Sequence, residues 1–123
     1  MTLTAALITV GRFLLGFYFF QAGLRNFMKL DMHTGILAKK GVPMPRVSLI
    51  VALVVQVLGG ASVALGFFPA IGAIALIAFT VAANALYHNF WAYSGEERTP
   101  HYNSVVTNLA IIGGFLIVVA ISW

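Results

Sequence analysis

Four apolar runs, residues 3–24, 47–65, 67–86 and 105–123, fix the solvent this chain needs, and Arg12 is the only formal charge inside any of them. Crossing ~30 Å of hydrocarbon takes about 20 helical residues at a rise of 1.5 Å each, and every run has that length. Backbone N–H and C=O groups find no water in lipid, so a spanning segment must be a helix or part of a closed barrel. The alternating short strands of a barrel are missing here. The pattern predicts an all-α polytopic membrane protein, an antiparallel bundle of four transmembrane helices forming one membrane domain over residues 1–123. Charged residues make up 8% of the sequence, against roughly a quarter in soluble domains, too few to cover a water-facing exterior. No Lys or Arg precedes Arg12 and no small-residue cleavage site follows the first run, so it reads as a span and not as a secretory signal.

The connections differ in kind. Gly66, Phe67, Phe68 and Pro69 allow only a tight antiparallel hairpin between the second and third spans, with Pro69 suited to a first helical turn. The longer first connection contains residues 31–40, which read as a short interfacial helix with Asp31 capping its start and Gly41 and Pro43 stopping it. The third run continues in pattern to Trp91 and gives way to a polar turn from Glu96 to Pro100. Arg25, Lys29, Lys39, Lys40, Arg46 and Arg98 all fall in the first and third connections, which share a side of the membrane. The positive-inside rule places those connections in the cytoplasm and both termini outside a cell membrane. This basicity speaks to topology and lipid headgroups, with no nucleic-acid partner implied.

Polar residues within the spans mark the candidate site. Arginine near mid-membrane costs about 2.5–3.5 kcal/mol even on lenient scales, so Arg12 should turn to the bundle interior or a wet cavity, or else snorkel along its helix to the outer surface. Gly16, Phe19 and Gly23 share its helical face, where small residues let another helix approach closely. Gln56 could accept from the Arg12 guanidinium or simply bridge two helices, but it cannot neutralise the charge. Thr80, Asn84, His88 and Trp91 form one stripe of the third span, and Asn108 enters the fourth at a similar depth. His88 reads either as a proton carrier or ligand contact, or as an interfacial histidine in an aromatic belt. Gln56 before Gly59 and Gly60 is faintly echoed by Asn108 before Gly113 and Gly114, all four glycines being helix-packing candidates with Gly16 and Gly23. His33, His88 and His101 do not have metal-ligand spacing, and no span holds a carboxylate, so no metal or haem is expected. The absence of cysteine excludes disulfides, thiol catalysis and iron–sulfur clusters in this chain alone.

Taken in order, Arg12 with Gly16 and Gly23, Lys29, the run Gly41-Val-Pro43-Met-Pro45, Gln56 with Gly59 and Gly60, Leu65-Gly66, His88 with Trp91, and Asn108 with Gly113 and Gly114 resemble the DoxX family of small bacterial and archaeal membrane proteins. The resemblance implies a four-helix membrane fold, with Arg12, Gln56, His88 and Asn108 at the family's membrane-embedded polar positions. Some relatives are subunits of a thiosulfate:quinone oxidoreductase, and others belong to oxidative-stress complexes at the membrane. Two residues depart from the family pattern: Gln56 replaces a frequent glutamate, and Thr107 a frequent lysine. Losing the glutamate removes both a counter-ion for Arg12 and a proton carrier.

Three functional readings follow. The first is a membrane subunit or anchor of a quinone-linked complex, not an enzyme by itself, whose partner is a redox protein or further copies of the chain. The second is a quinone- or lipid-binding oxidoreductase that uses Arg12, Gln56, Asn84, His88 and Asn108 as polar contacts. The third is a small oligomeric transporter. None requires a cofactor held by this chain alone; quinone is the cofactor class the second implies.

Overall fold

The computed structural model describes residues 2–87 and 94–123. Helix α1 spans Leu3–Phe27, α2 Leu30–Lys39, α3 Pro45–Leu65 and α4 Pro69–Tyr87; a 3-10 turn at Gly95–Glu97 then leads into α5, Arg98–Ser122. Helices α1, α3, α4 and α5, of 25, 21, 19 and 25 residues, are long and apolar enough to cross a bilayer. His88 and Trp91, with the rest of residues 88–93, lie outside the described residues.

Local chemistry sets the breaks. The Thr2 side chain caps α1 by accepting from Ala5 N–H at 3.1 Å. Helix α2 ends in a Schellman motif: Gly41 takes φ +80°, its N–H reaches Ala38 O, and Val42 N–H reaches Leu37 O. Asp31 does not cap α2 as expected. Lys29 holds the N-cap position without a side-chain bond, and Asp31 sits two residues further on, within the first turn, pairing with Arg46 at 3.0 Å. Both side chains are exposed, so that pair contributes little. Pro45 and Pro69 start α3 and α4, where a missing N–H costs nothing. The polar segment expected as a turn is mostly helix: Arg98, Thr99 and Pro100 form the first turn of α5, a position that tolerates proline.

The burial pattern is that of a lipid-solvated bundle. Leu7, Leu14, Val51, Leu58, Ile74 and Ile117 point outward, while only a thin interior is closed. One apolar cluster joins Phe19, Val63, Ala73, Leu76, Phe115 and Val118 in the hairpin-side half. A second joins Leu37, Leu49 and Leu53, with Leu86 and Tyr87 against them, so that α2 seals the loop-side end.

Glycines set how closely the helices pack. A Cβ at Gly60 would lie 2.6 Å from Phe20 N and 2.7 Å from Gly16 O, and one at Gly16 would strike Ala64 N and Gly60 O. Helices α1 and α3 therefore meet backbone to backbone, antiparallel, with Gly23 opposite Gln56 and Val57. Gly59 packs on Leu76, Gly114 approaches Leu15, and Gly72, which the sequence pattern did not single out, packs against Ser62. Gly113 is a correction: a Cβ there meets nothing within 4 Å among the described residues, so no helix packs closely on it there.

Gly16→Ala and Gly60→Ala should each cost about 1–3 kcal/mol, the usual penalty of overpacking, in unfolding measured in detergent micelles. Gly113→Ala should be neutral or stabilise by up to ~1 kcal/mol through helix propensity. Equal stability of the Gly60→Ala and Gly113→Ala variants contradicts the close approach.

Candidate intramembrane cavity

Between the two apolar clusters lies a cavity of about 340 Å³, bounded by α1, α3, α4, α5 and the inner face of α2. Phe19 and Phe79 meet edge-on at 6.4 Å between ring centroids and line its hairpin side. Leu37, Leu49, Leu53 and Leu86 line the loop side. The polar contributions come from Gln56, Thr80 and Asn108, with Asn26, His33 and Tyr87 nearer the loop end. Tyr18, which is 56% exposed, also lines the cavity, so the space reaches the outer surface of the bundle between helices.

Each polar group has a distinct hydrogen-bonding state. Thr80 is 2% exposed and donates back to Leu76 O at 2.7 Å, the usual way a hydroxyl is satisfied inside a helix. Asn108 donates through Nδ2 to Asn84 Oδ1 at 2.6 Å, tying α5 to α4. Gln56 is 3% exposed, and its Oε1 is shut off from solvent without a hydrogen-bond partner among the described residues. An unsatisfied buried acceptor costs about 1–3 kcal/mol, so this amide is the unbalanced point of the bundle.

Sequence reasoning grouped Arg12 with this site, and the structure separates them. The antiparallel register sets Gly23, not Arg12, opposite Gln56. The Arg12 side chain runs the other way, and its guanidinium lies flush against Gly66 in the hairpin, where an added Cβ would be 2.5 Å from Nη2 and 2.8 Å from Cζ. The Arg12–Gln56 hydrogen bond, one of the two readings of that amide, is therefore absent. The register itself sets this level: with Gly16 against Gly60 and Ala64, Arg12, one turn earlier on α1, falls beside the hairpin. Asn84 braces Asn108 and is not itself a lining residue. Phe13 and Phe17 stack on each other at 5.6 Å and remain about half exposed, facing outward.

His33, Asn26 and Tyr87 were missed as site residues. Leu30, His33 and Leu37 recur at helical spacing on α2, a pattern that could have shown His33 facing the bundle. The imidazole Nδ1 lies 3.2 Å from the Tyr87 hydroxyl, with donor and acceptor set by the tautomer. Partial burial, and then the nearby Lys29 charge, lower the His33 pKa below the ordinary 6.5. The neutral ring is favoured, so Nδ1 can accept from Tyr87.

A multi-pass membrane protein with a small, mostly apolar cavity held inside its helices is thus defined. The chain belongs to the DoxX family, whose model matches residues 7–89, a stretch that includes Arg12, Gln56 and Asn84 and stops short of Asn108. It is similar to the inner membrane protein YphA of Escherichia coli (strain K12), at 28% identity over 111 residues, covering 90% of this chain and 79% of that one. No solved structure matches the chain.

The lowered His33 pKa has a signed consequence. Folding stabilised by the neutral imidazole is fully present above the unfolded value near 6.5 and is lost as pH falls through the folded one. An NMR titration of His33 in micelles should give a midpoint below 6.5, moving upward in Lys29→Ala. A midpoint above 6.5 contradicts the placement of this ring beneath the cavity.

Proposed function

We propose that this DoxX-family protein is a binding subunit of the membrane, holding a ring-bearing amphiphile between its helices and presenting it to a partner that does the chemistry. The observation that carries this reading is the 340 Å³ cavity lined by Gln56, a buried amide with an unpartnered oxygen. That volume sits at the low end of the roughly 300–1,000 Å³ typical of ligand pockets. It suits a single substituted ring with its tail leaving between helices past Tyr18. With no cysteine and no carboxylate in a span, the chain has little of its own with which to move electrons or protons. That favours binding over catalysis and leaves turnover to a redox partner protein.

The basic connections and α2 lie at one end of the bundle and fit a cytoplasmic face with both termini outside. The ligand would then be held nearer the cytoplasmic leaflet, close to where a soluble partner docks.

Calorimetry on the purified protein with a short-chain hydroquinone and its oxidised quinone tests the reading. The wild type should bind one or both forms. Gln56→Leu should weaken binding by up to about ten-fold, the scale of one net hydrogen bond, and Ala83→Phe, which fills the space, should weaken both ligands. Equal affinities in all three proteins rule the cavity out as the site. For orientation, a green-fluorescent fusion at the C-terminus should stay dark beyond the membrane while an alkaline-phosphatase fusion is active; the reverse pattern overturns the assignment.

A further inference from the structure

Arg12 has no role in the cavity, and its surroundings point to a different ligand. Its Nε is buried and unbonded among the described residues, while the residue as a whole is only partly covered. The guanidinium rests against Gly66, which holds φ +76°; a side chain there would occupy the space the cation now fills. The Gly66 and Phe67 N–H groups both go to Ser62 O, and the Ser62 hydroxyl meets the carbonyls of Phe67 and Phe68, so the hairpin backbone is largely committed to its own turn. None of the three acidic residues can help. Asp31 pairs with Arg46 at the loop end, and Glu96 and Glu97 lie in the 3-10 turn of the third connection. The cation therefore has no acidic side chain at its own end of the bundle.

The surface around it is apolar. Leu65, Phe67 and Phe68 are 78%, 70% and 65% exposed on the hairpin side. Residues 3–11 of α1 continue beyond Arg12 for about 13 Å at 1.5 Å per residue, with Leu3, Leu7 and Val10 exposed. Helix α3, by contrast, ends at Leu65. The result is a notch in which a fixed positive charge is flanked by bare hydrocarbon surface above and beside it. A free inorganic anion would match the charge and leave that surface in water. An amphiphilic anion matches both.

We propose that Arg12, seated on Gly66 beneath the exposed Leu65, Phe67 and Phe68, binds the phosphodiester of a phospholipid in the hairpin-side leaflet. The planar guanidinium presents a forked pair of N–H donors suited to two phosphate oxygens. The acyl chains then lie along α1 and the hairpin side chains. Gly66 is the second element of this site: its φ of +76° suits glycine, and the cation lies where a Cβ would be.

Thermal unfolding of the purified protein in maltoside micelles, titrated with phosphatidylglycerol, diacylglycerol or inorganic phosphate, tests the assignment. Phosphatidylglycerol should raise the midpoint of the wild type, diacylglycerol should not, and phosphate alone should give less than half the effect. Arg12→Gln should lose most of the phosphatidylglycerol shift, and Arg12→Lys should keep part of it. A shift of the same size in Arg12→Gln, or one fully reproduced by diacylglycerol, overturns the proposal, and full reproduction by inorganic phosphate overturns its lipid source. Should Arg12→Gln fail to fold, native mass spectrometry of the wild type decides: retained phosphatidylglycerol adducts in preference to diacylglycerol support the site, and equal retention contradicts it.

Discussion

The contact between α1 and α3 at Gly16 and Gly60 sets the level of every polar residue in the bundle. Two backbones can approach this closely only where neither carries a side chain, and in lipid, where apolar burial gives no preference for helix over tail, such packing is what holds helices together. Once Gly16 lies opposite Gly60 and Ala64, the antiparallel register is fixed. Gly23 then falls beside Gln56, and Arg12 falls beside Gly66. The arginine and the glutamine, both within spans by sequence, end up at different depths.

The cavity is a consequence of the same arrangement. Helix α1 packs chiefly on α3, and α5 on α4, while α1 and α5 meet only lightly, Leu15 against Gly114 being one point of contact. Below the aromatic group of Phe19, Phe79 and Phe115, the interior is completed by shorter or polar side chains, and space remains. The Asn84–Asn108 bond ties the two helices on the far wall, and α2 closes the floor through Leu37 and His33. A bundle whose central layer is polar and underfilled is a poor way to gain stability, because each unsatisfied group carries a desolvation cost. It is a reasonable way to hold a ligand.

Much of this was legible in the sequence because lipid imposes strict rules. Four apolar runs of spanning length, with Arg12 their only formal charge, force four helices, and the hairpin at Gly66–Pro69 is too short for any other connection. Helical spacing assigned Gly16, Phe19 and Gly23 to one face, and all three are buried. Spacing tells which face a residue occupies, however, and not which residue of another helix lies opposite. That is why Arg12 and Gln56 were read as neighbours. Asp31 was read as a cap because its residue type suits one, yet Arg46, distant in sequence, takes its carboxylate instead. His33 was overlooked because its partner, Tyr87, is 54 residues away and on another helix.

The level of Gln56 relative to α1 is therefore the claim on which the cavity and the Arg12 notch both rest. The chain has no cysteine, so paired thiols can be introduced into native membranes without background. A Cβ at Gly23 lies 3.3 Å from Gln56 Cγ, the place a sulfur at position 56 would take, so a disulfide can span the two positions. On oxidation, the Gly23→Cys/Gln56→Cys protein should crosslink within the chain, and the Arg12→Cys/Gln56→Cys protein should not. Crosslinking of the second pair in place of the first contradicts the register, and with it the separation of the two sites.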